Sequence, residues 1–415
     1  METKAKSLGA LTMGLIAASG SALAQTSERE QPLAFFVADR LMYDDNLFRL
    51  PEPALRDPSE QPIEESADYI NQLTAGFRTQ LNLGRQDLRF TGRVDDVRFR
   101  NNDQLDYTGG AANLVLDWTF GSRWSGELSG DYQRSLASYT NYRFVERDIV
   151  EALGGELEAR FELGPRFALL AGARARRTEH SDDERRAENF ESEAAWGGIE
   201  YASSATDRFI LEYQYLEGDF PDSFAPGSAD ARDRSYEETL INFRTEYEIT
   251  SKLHFRGNVG NLERTYAPGS ISNDYSSGIW RATLDWQPRS KLGFELSAWR
   301  DLKAYVDAES DYFVADGASI GPKWTPSDKL ELAIEYVYEE QDYIGTPILS
   351  GSGEPSIEAD AGRIDEVDIA RFTASYAPRD FLELDLTWAY IERSSNRPTR
   401  EYDAQVASVA LRFVF

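Results

Sequence analysis

A period of two governs this chain. From about residue 34 to the end, apolar and polar residues alternate in run after run, the signature of strands with a single apolar face. Leu382, Leu384, Leu386, Trp388 and Tyr390 lie on one side, and Glu383, Asp385, Thr387 and Ala389 on the other. Leu330, Leu332, Ile334, Tyr336 and Tyr338 repeat the pattern against Glu331, Ala333 and Glu335, as do Phe209, Leu211, Tyr213 and Tyr215 against Glu212 and Gln214. No stretch in this region keeps a helical period. The polar faces are densely charged, and packing them into a dry core between two sheets would strand charges at several kcal/mol each. An inverted arrangement removes that cost. Apolar faces meet lipid, charged faces line a wet lumen, and closure pairs every backbone group.

The connections support the same architecture. Tight, turn-rich links recur at Gly84-Arg85, Gly121-Ser122-Arg123, Gly164-Pro165-Arg166, Thr206-Asp207-Arg208, Ser251-Lys252, Pro288-Arg289-Ser290-Lys291, Pro326-Ser327-Asp328-Lys329 and Pro378-Arg379-Asp380. Between them lie longer polar stretches, at 45–68, 101–105, 138–147, 178–187, 217–234, 266–273, 305–310, 343–362 and 394–401. Short turns at one end and long loops at the other are the layout of an outer-membrane barrel. The expected fold is all-β: one transmembrane antiparallel up-and-down β-barrel of 18 strands, with 16 as the fallback, spanning residues 25–415. Trp118, Phe120, Trp124, Trp286, Trp324 and Trp388 are placed for interfacial girdles.

Both ends of the sequence carry export signals. Lys4 and Lys6 precede an apolar stretch from Leu8 to Ala18 and an A-x-A site at Ala22-Leu23-Ala24, so residues 1–24 read as a signal peptide. The last run alternates Ala407, Val409, Leu411, Phe413 and Phe415 with Ser408, Ala410, Arg412 and Val414. A strand ending on Phe415, with Phe413 two residues before it, resembles the signal that the barrel assembly machinery reads, so Phe413 and Phe415 are the expected assembly signal and that machinery an expected partner. The expected location is the Gram-negative outer membrane, with its lipid as one partner.

Composition removes other classes. With 0 Cys there is no disulfide, Cys-zinc site or thiol nucleophile, and 2 His leave little for metal or triad chemistry. A net charge of −28 repels phosphate backbones, so no nucleic-acid partner is expected. His254 falls on a charged strand face and His180 in a long stretch, neither with a nucleophile in a recognisable motif, and paired carboxylates are unavoidable in so acidic a wall. The expectation is a non-enzyme without metal or cofactor.

The charged faces supply the candidate site. Arg78, Arg89, Arg93, Arg371 and Arg412 fall on the second, third, sixteenth and eighteenth strands, which closure brings toward one another as a basic sector. Arg174, Arg176, Arg244, Arg256 and Arg281 form a second basic region, and Glu331, Glu335, Glu383 and Asp385 are acids of the same lumen. These residues either hold a hydrated polymer weakly at many points or form ion pairs that only keep the wall hydrated. Trp196 and Trp299 are candidate luminal aromatics. Basic residues at the tight turns suit anionic headgroups, or a docking ring for a periplasmic partner. Asp222, Asp230, Asp233, Glu354, Glu358 and Asp360 make the long loops acidic without any Ca²⁺-loop spacing, and the stretch 343–362 has the length of a gate.

Three short stretches resemble a known family. Tyr43-Asp44-Asp45-Asn46-Leu47-Phe48-Arg49-Leu50 is similar to the opening signature of the EpsL-like outer-membrane proteins of exopolysaccharide clusters, associated with exosortase systems. Phe99-Arg100-Asn101-Asn102-Asp103-Gln104-Leu105-Asp106-Tyr107 resembles an internal strand-linking segment of that family. Arg393-Ser394-Ser395-Asn396-Arg397-Pro398 with Glu401-Tyr402-Asp403 resembles its last loop. The insertion carrying Pro51, Pro53, Pro58 and Pro62 departs from it. The resemblance implies a conduit in exopolysaccharide export, with the polymer and a separate periplasmic or inner-membrane export component as partners, and no catalytic residues. The alternatives are a general or solute-specific diffusion porin, or a non-transporting barrel that binds surface matrix.

Overall fold

The computed structural model describes residues 33–53, 66–140, 146–222, 233–267, 274–307, 310–344 and 362–415. Its strands are β1 (Leu33–Asp44), β2 (Asp68–Leu83), β3 (Gln86–Phe99), β4 (Tyr107–Phe120), β5 (Trp124–Leu136), β6 (Ile149–Glu162), β7 (Phe167–His180), β8 (Phe190–Ala202), β9 (Arg208–Asp219), β10 (Tyr236–Thr250), β11 (Leu253–Tyr266), β12 (Tyr275–Arg289), β13 (Leu292–Asp307), β14 (Ser310–Ser327), β15 (Leu330–Ile344), β16 (Ile364–Arg379), β17 (Leu382–Ser395) and β18 (Tyr402–Val414). They form one 18-stranded sheet in which each strand pairs antiparallel with its neighbours in sequence. The sheet closes between β1 and β18, from Phe36↔Val414 to Asp44↔Val406. Closure leaves no free edge, which a lipid-embedded sheet requires.

Register places the alternation as the sequence reading expected. Along β1 the exposed Leu33, Phe35, Val37 and Leu41 face outward, while Ala34, Ala38 and Arg40 face the lumen. The exterior continues through Leu169, Ile199, Leu211, Tyr213, Ile241, Val259, Trp280, Ile334 and Leu411, all exposed. Such a coat would aggregate in water and is the surface that hydrocarbon needs. Near the tight turns the exterior turns aromatic. Trp124 meets Phe161 at 4.7 Å between centroids, Phe167 meets Tyr201 at 5.1 Å and Trp286 meets Phe294 at 5.3 Å.

The tight turns hold one another. Lys252 donates to the carbonyl of Pro288 at 3.1 Å, Lys291 to Pro326 at 2.7 Å, Lys329 to Pro378 at 2.9 Å and Arg85 to Gly121 at 2.5 Å. Each basic side chain therefore tethers its turn to the next one around the rim. Neither headgroup contact nor a docking ring, the two roles expected from sequence, covers this use. Gly84 and Gly121 sit at φ +72° and +64°, which a β-carbon would strain.

One loop expectation is corrected. Residues 305–310 read as a long connection, but β13 runs to Asp307 and β14 starts at Ser310. The strands keep pairing through a register shift between Ala304 and Asp307, so the hairpin stands longer than its composition suggested. The stretch 343–362 and the proline-rich insertion fall mostly outside the described residues.

Above the lipid-facing band the outer surface becomes acidic. Glu193, Glu217 and Glu237 lie directly opposite one another on β8, β9 and β10. Asp316, Glu340 and Glu366 do so on β14, β15 and β16, and Asp368, Glu392 and Asp403 on β16, β17 and β18. Like charges in direct opposition destabilise a sheet by ~0.2–1 kcal/mol per pair. Glu217→Gln removes the central charge of one row and still accepts from the Tyr215 hydroxyl, 2.9 Å away. Its expected effect is a gain of ~0.2–1 kcal/mol in denaturant unfolding of the folded barrel. A loss instead would mean that these carboxylates are mutually compensated.

Candidate functional site

Every charged residue nominated from sequence faces the lumen. Arg78 and Thr91 share an inward pair, as do Gly76 and Arg93, and Gln80 and Arg89. Arg174 lies opposite Glu156, Arg176 opposite Gly154, Arg244 opposite Asn258, Arg256 opposite Glu246 and Arg281 opposite Asn258. Arg371 pairs with Glu335, Arg412 with Glu383, Glu331 with Ser375 and Asp385 with Ala410.

Most of these charges engage a neighbour. Arg89 reaches Asp117 at 2.9 Å, Arg176 reaches Asp131 at 3.3 Å and Arg244 reaches Glu212 at 2.7 Å. Arg256 spans Asp285 at 2.9 Å and Glu295 at 3.5 Å. Arg371 meets Glu335 at 2.5 Å, Lys323 meets Glu331 at 2.7 Å and Arg412 meets Glu383 at 3.3 Å. Most of these side chains are partly exposed, so water screens the pairs and they contribute little stability. What they supply is a hydrated wall with alternating sign. The lower lumen also separates charge. Asp87, Asp117, Glu127 and Glu158 form one cross-strand row on β3 to β6, with Arg89 in ion-pair reach of Asp87 and Asp117.

The luminal tryptophans are confirmed in place. The Trp196 ring covers Gly172, where an added β-carbon would stand 2.2 Å from it. Trp299 covers Gly317 in the same way, donates from Nε1 to Glu339 at 3.0 Å and lies under the Arg281 guanidinium at 4.9 Å.

The extracellular half of the lumen departs from expectation. The sequence reading made every inward face polar, yet Ile70, Val97, Val367, Ile369, Ile391 and Ala404 face inward and are buried. Part of what covers them comes from two segments that fold over the mouth. Leu47, Phe48 and Leu50, just after β1, pack with Ile70, Val97, Phe99, Leu105 and Tyr139 in one apolar cluster. Phe48 meets Tyr139 at 5.0 Å. The segment after β5 then reaches β17, where Arg393 donates to the carbonyl of Thr140 at 2.8 Å. Arg393 is 4% exposed, stands 3.5 Å from Asp365 and lies over the Tyr402 ring. A third element is the tip of the β13–β14 hairpin. Tyr312, Phe313, Val314 and Ala315 are buried in succession, which a barrel wall with one free face does not allow. The Tyr312 ring meets luminal Tyr275 on β12 at 5.0 Å and approaches Arg264 on β11, one strand further round. The tip therefore leans over the mouth. Arg264 is itself buried between Glu238, at 2.7 Å, and the Tyr236 ring, at 4.0 Å.

The three stretches that carry the family resemblance converge at this mouth. Asp44 pairs with Arg49 at 2.8 Å, and Asn46 brackets Leu50 through both amide groups at 2.9 Å. Asn46 also donates to the carbonyl of Asp403 at 2.9 Å, tying the first stretch to the third. In the second stretch Asn102 binds the carboxylate of fully buried Asp68 through its backbone and side-chain nitrogens, at 3.0 and 2.8 Å. Sequence reasoning gave Asp68 no role. An Asp opening a strand, with Asn101-Asn102 in the next connection, was the available signal.

His180, expected in a loop, ends β7 and faces Asp148, with Nδ1 to Oδ2 at 2.7 Å. Burial opposes ionisation of Asp148. The hydrogen bond and charge of His180, with Arg185 at 3.2 Å, outweigh it and hold the carboxyl below its usual range. The arrangement is an ion-pair staple between loop and strand. Among the described residues no group of His, Asp and Glu is spaced to hold a metal ion.

No family model matches the chain, and no curated protein matches it. Several solved proteins of Pseudomonas aeruginosa align with the chain. The outer membrane protein OpdK aligns over 92% of this chain and 99% of its own at 11% identity and a TM-score of 0.48. OprD aligns over 92% and 95% at 9% identity and 0.47. The siderophore receptor PirA aligns over 94% and 81% at 8% identity and 0.45.

Proposed function

We propose that this integral outer-membrane β-barrel is a porin-type conduit for hydrophilic solutes, held closed at the extracellular mouth in this conformation. The observation that carries this is the split lumen. Below the mouth, inward faces on all sides carry half-exposed charges in loose ion pairs, a wall built for water. Above it, apolar residues and arginines are buried on the inward side. A barrel that served only as a matrix anchor would have no use for a charged interior beneath a dry cap.

Liposome swelling tests the reading. Proteoliposomes are expected to admit small sugars and amino acids and to exclude large dextrans. Swelling no faster than in protein-free vesicles, from wild type and from mouth-opened variants alike, would refute it. Export of an exopolysaccharide, implied by the family resemblance, would use the same lumen in the outward direction. Its support would be loss of extracellular polysaccharide with periplasmic accumulation in a deletion strain. Unchanged polysaccharide in both compartments would leave diffusion as the function.

A further inference from the structure

The β12–β13 turn carries a pocket on the outside of the barrel, at the end of the tight turns, which faces the periplasm in such barrels. Cross-strand register sets Arg289, Leu292, Trp324 and Leu332 in one row on β12, β13, β14 and β15. Directly opposed residues share a face of the sheet, and Trp324 is exposed on the side that meets lipid, so the row lies on the exterior. It begins with a cation at the turn and runs into the apolar coat. Arg289, Ser290, Lys291, Leu292 and Trp324 line a pocket of about 480 Å³ at this point.

Two breaks in regular pairing flank that space. β12 and β13 shift register between Trp286 and Arg289, and β14 and β15 shift between Trp324 and Ser327. The turn is pinned from both sides. Lys252 donates to the Pro288 carbonyl at 3.1 Å and Lys291 to the Pro326 carbonyl at 2.7 Å, while the Thr325 nitrogen donates to the Lys291 carbonyl at 2.9 Å. The pocket is therefore preformed, and a ligand would not have to order it.

Its chemistry is divided. Leu292 and the Trp324 ring give an apolar floor, and the stacked Trp286 and Phe294 rings continue it along the exterior. Two cations stand at the rim. Arg289 is exposed, and Lys291 uses one ammonium N–H on Pro326, which leaves two donors. No carboxylate is among the residues that line the pocket. The turns at Pro326-Ser327-Asp328-Lys329 and Pro378-Arg379-Asp380 differ, because each sets an acid beside its cation. Cations above an aromatic floor, where hydrocarbon gives way to headgroups, match a phosphodiester carried on acyl chains.

We propose that this pocket binds the phosphate of an anionic phospholipid from the periplasm-facing leaflet. Arg289 and Lys291 hold the phosphate oxygens, and the upper acyl chain lies along Leu292 and Trp324. The site is independent of what the lumen carries.

Native mass spectrometry of the folded full-length barrel, released from neutral detergent, tests it with dioleoylphosphatidylglycerol, dioleoylphosphatidylcholine and inorganic phosphate. Wild type is expected to retain phosphatidylglycerol in preference to phosphatidylcholine. Arg289→Gln is expected to weaken phosphatidylglycerol binding roughly fivefold, the effect of one cation at a membrane surface. Arg123→Gln removes an exposed cation beside Trp124 at the β4–β5 turn, outside the pocket, and is expected to bind as wild type does. Equal retention of the two lipids overturns the site. So does the same loss in Arg123→Gln, which would mean a general basic rim. Inorganic phosphate that displaces phosphatidylglycerol at equal concentration would assign the cations to a free anion and overturn the lipid site as well. Heat-modifiable gel mobility confirms that each variant is folded.

Discussion

Arg393→Ala is expected to raise the open probability of the barrel in planar bilayers by roughly ten- to a hundredfold. The side chain is the described link between the segment after β5 and the far wall at β17, through its 2.8 Å bond to the Thr140 carbonyl. A hydrogen bond from a charged donor contributes about 1.5–3 kcal/mol, and every ~1.4 kcal/mol is a factor of ten in population. Alanine also removes the cation over Tyr402 and a neighbour of Asp365, but Asp365 keeps its pair with Arg363. The barrel wall therefore survives while the cap loosens. Phe48→Ser is expected to act in the same direction by opening the Phe48–Tyr139 contact. An unchanged open probability in a variant whose unfolding temperature falls would show that Arg393 braces the wall and does not close the mouth.

Asp68→Ala carries the largest expected stability loss, on the order of 3–5 kcal/mol. Asp68 is 0% exposed and accepts from the backbone nitrogens of Arg100, Asn101 and Asn102 at 3.0 Å, and from Asn102 Nδ2 at 2.8 Å. The Arg100 nitrogen also reaches the Tyr69 carbonyl, so it keeps a partner. The two Asn102 donors, in a buried residue, do not, and buried donors without acceptors cost about 1–3 kcal/mol each. Asp68→Asn keeps the shape and loses the charge, so an intermediate loss is expected. Urea unfolding in lipid measures the series, and a loss below ~1 kcal/mol for the alanine variant would contradict the account of this turn.

The alternation that made the barrel legible also limits what could be read. A period of two assigns faces along a strand, and here it placed Arg78, Arg174, Glu335 and Asp385 in the lumen without any view of their neighbours. It does not say where along its height a face changes character. On β17 the outward run from Leu382 to Tyr390 is plain, while the inward Ile391 reads as the next member of a mixed strand end. Only contact with neighbouring elements makes it the dry part of the lumen. Long-range closure has no local signal either: Arg393 and Thr140 lie 253 residues apart in sequence. Turn chemistry marked the links from Gly84-Arg85 to Pro378-Arg379-Asp380, because Gly, Pro, Asp and Ser act locally, but it missed the short β13–β14 link. The Lys-to-carbonyl tethers between turns were not visible, since the partner of Lys291 is the backbone of Pro326. The motif stretches were found as text. Their meaning as parts of one mouth, with Asn46 held to the Asp403 carbonyl, came from topology.

The central claim is that the lumen, lined by alternate residues of each strand, is the path of permeation. The chain contains 0 Cys, so single cysteines can report on each face without background. Asn258→Cys and Ser297→Cys place a thiol on the luminal wall, and Ile334→Cys places one on the lipid side. In planar bilayers, with Arg393→Ala as background, a charged membrane-impermeant thiol reagent is expected to lower single-channel conductance at the two luminal positions and leave Ile334→Cys unchanged. Equal sensitivity at all three positions, or no conductance to lower, would contradict it.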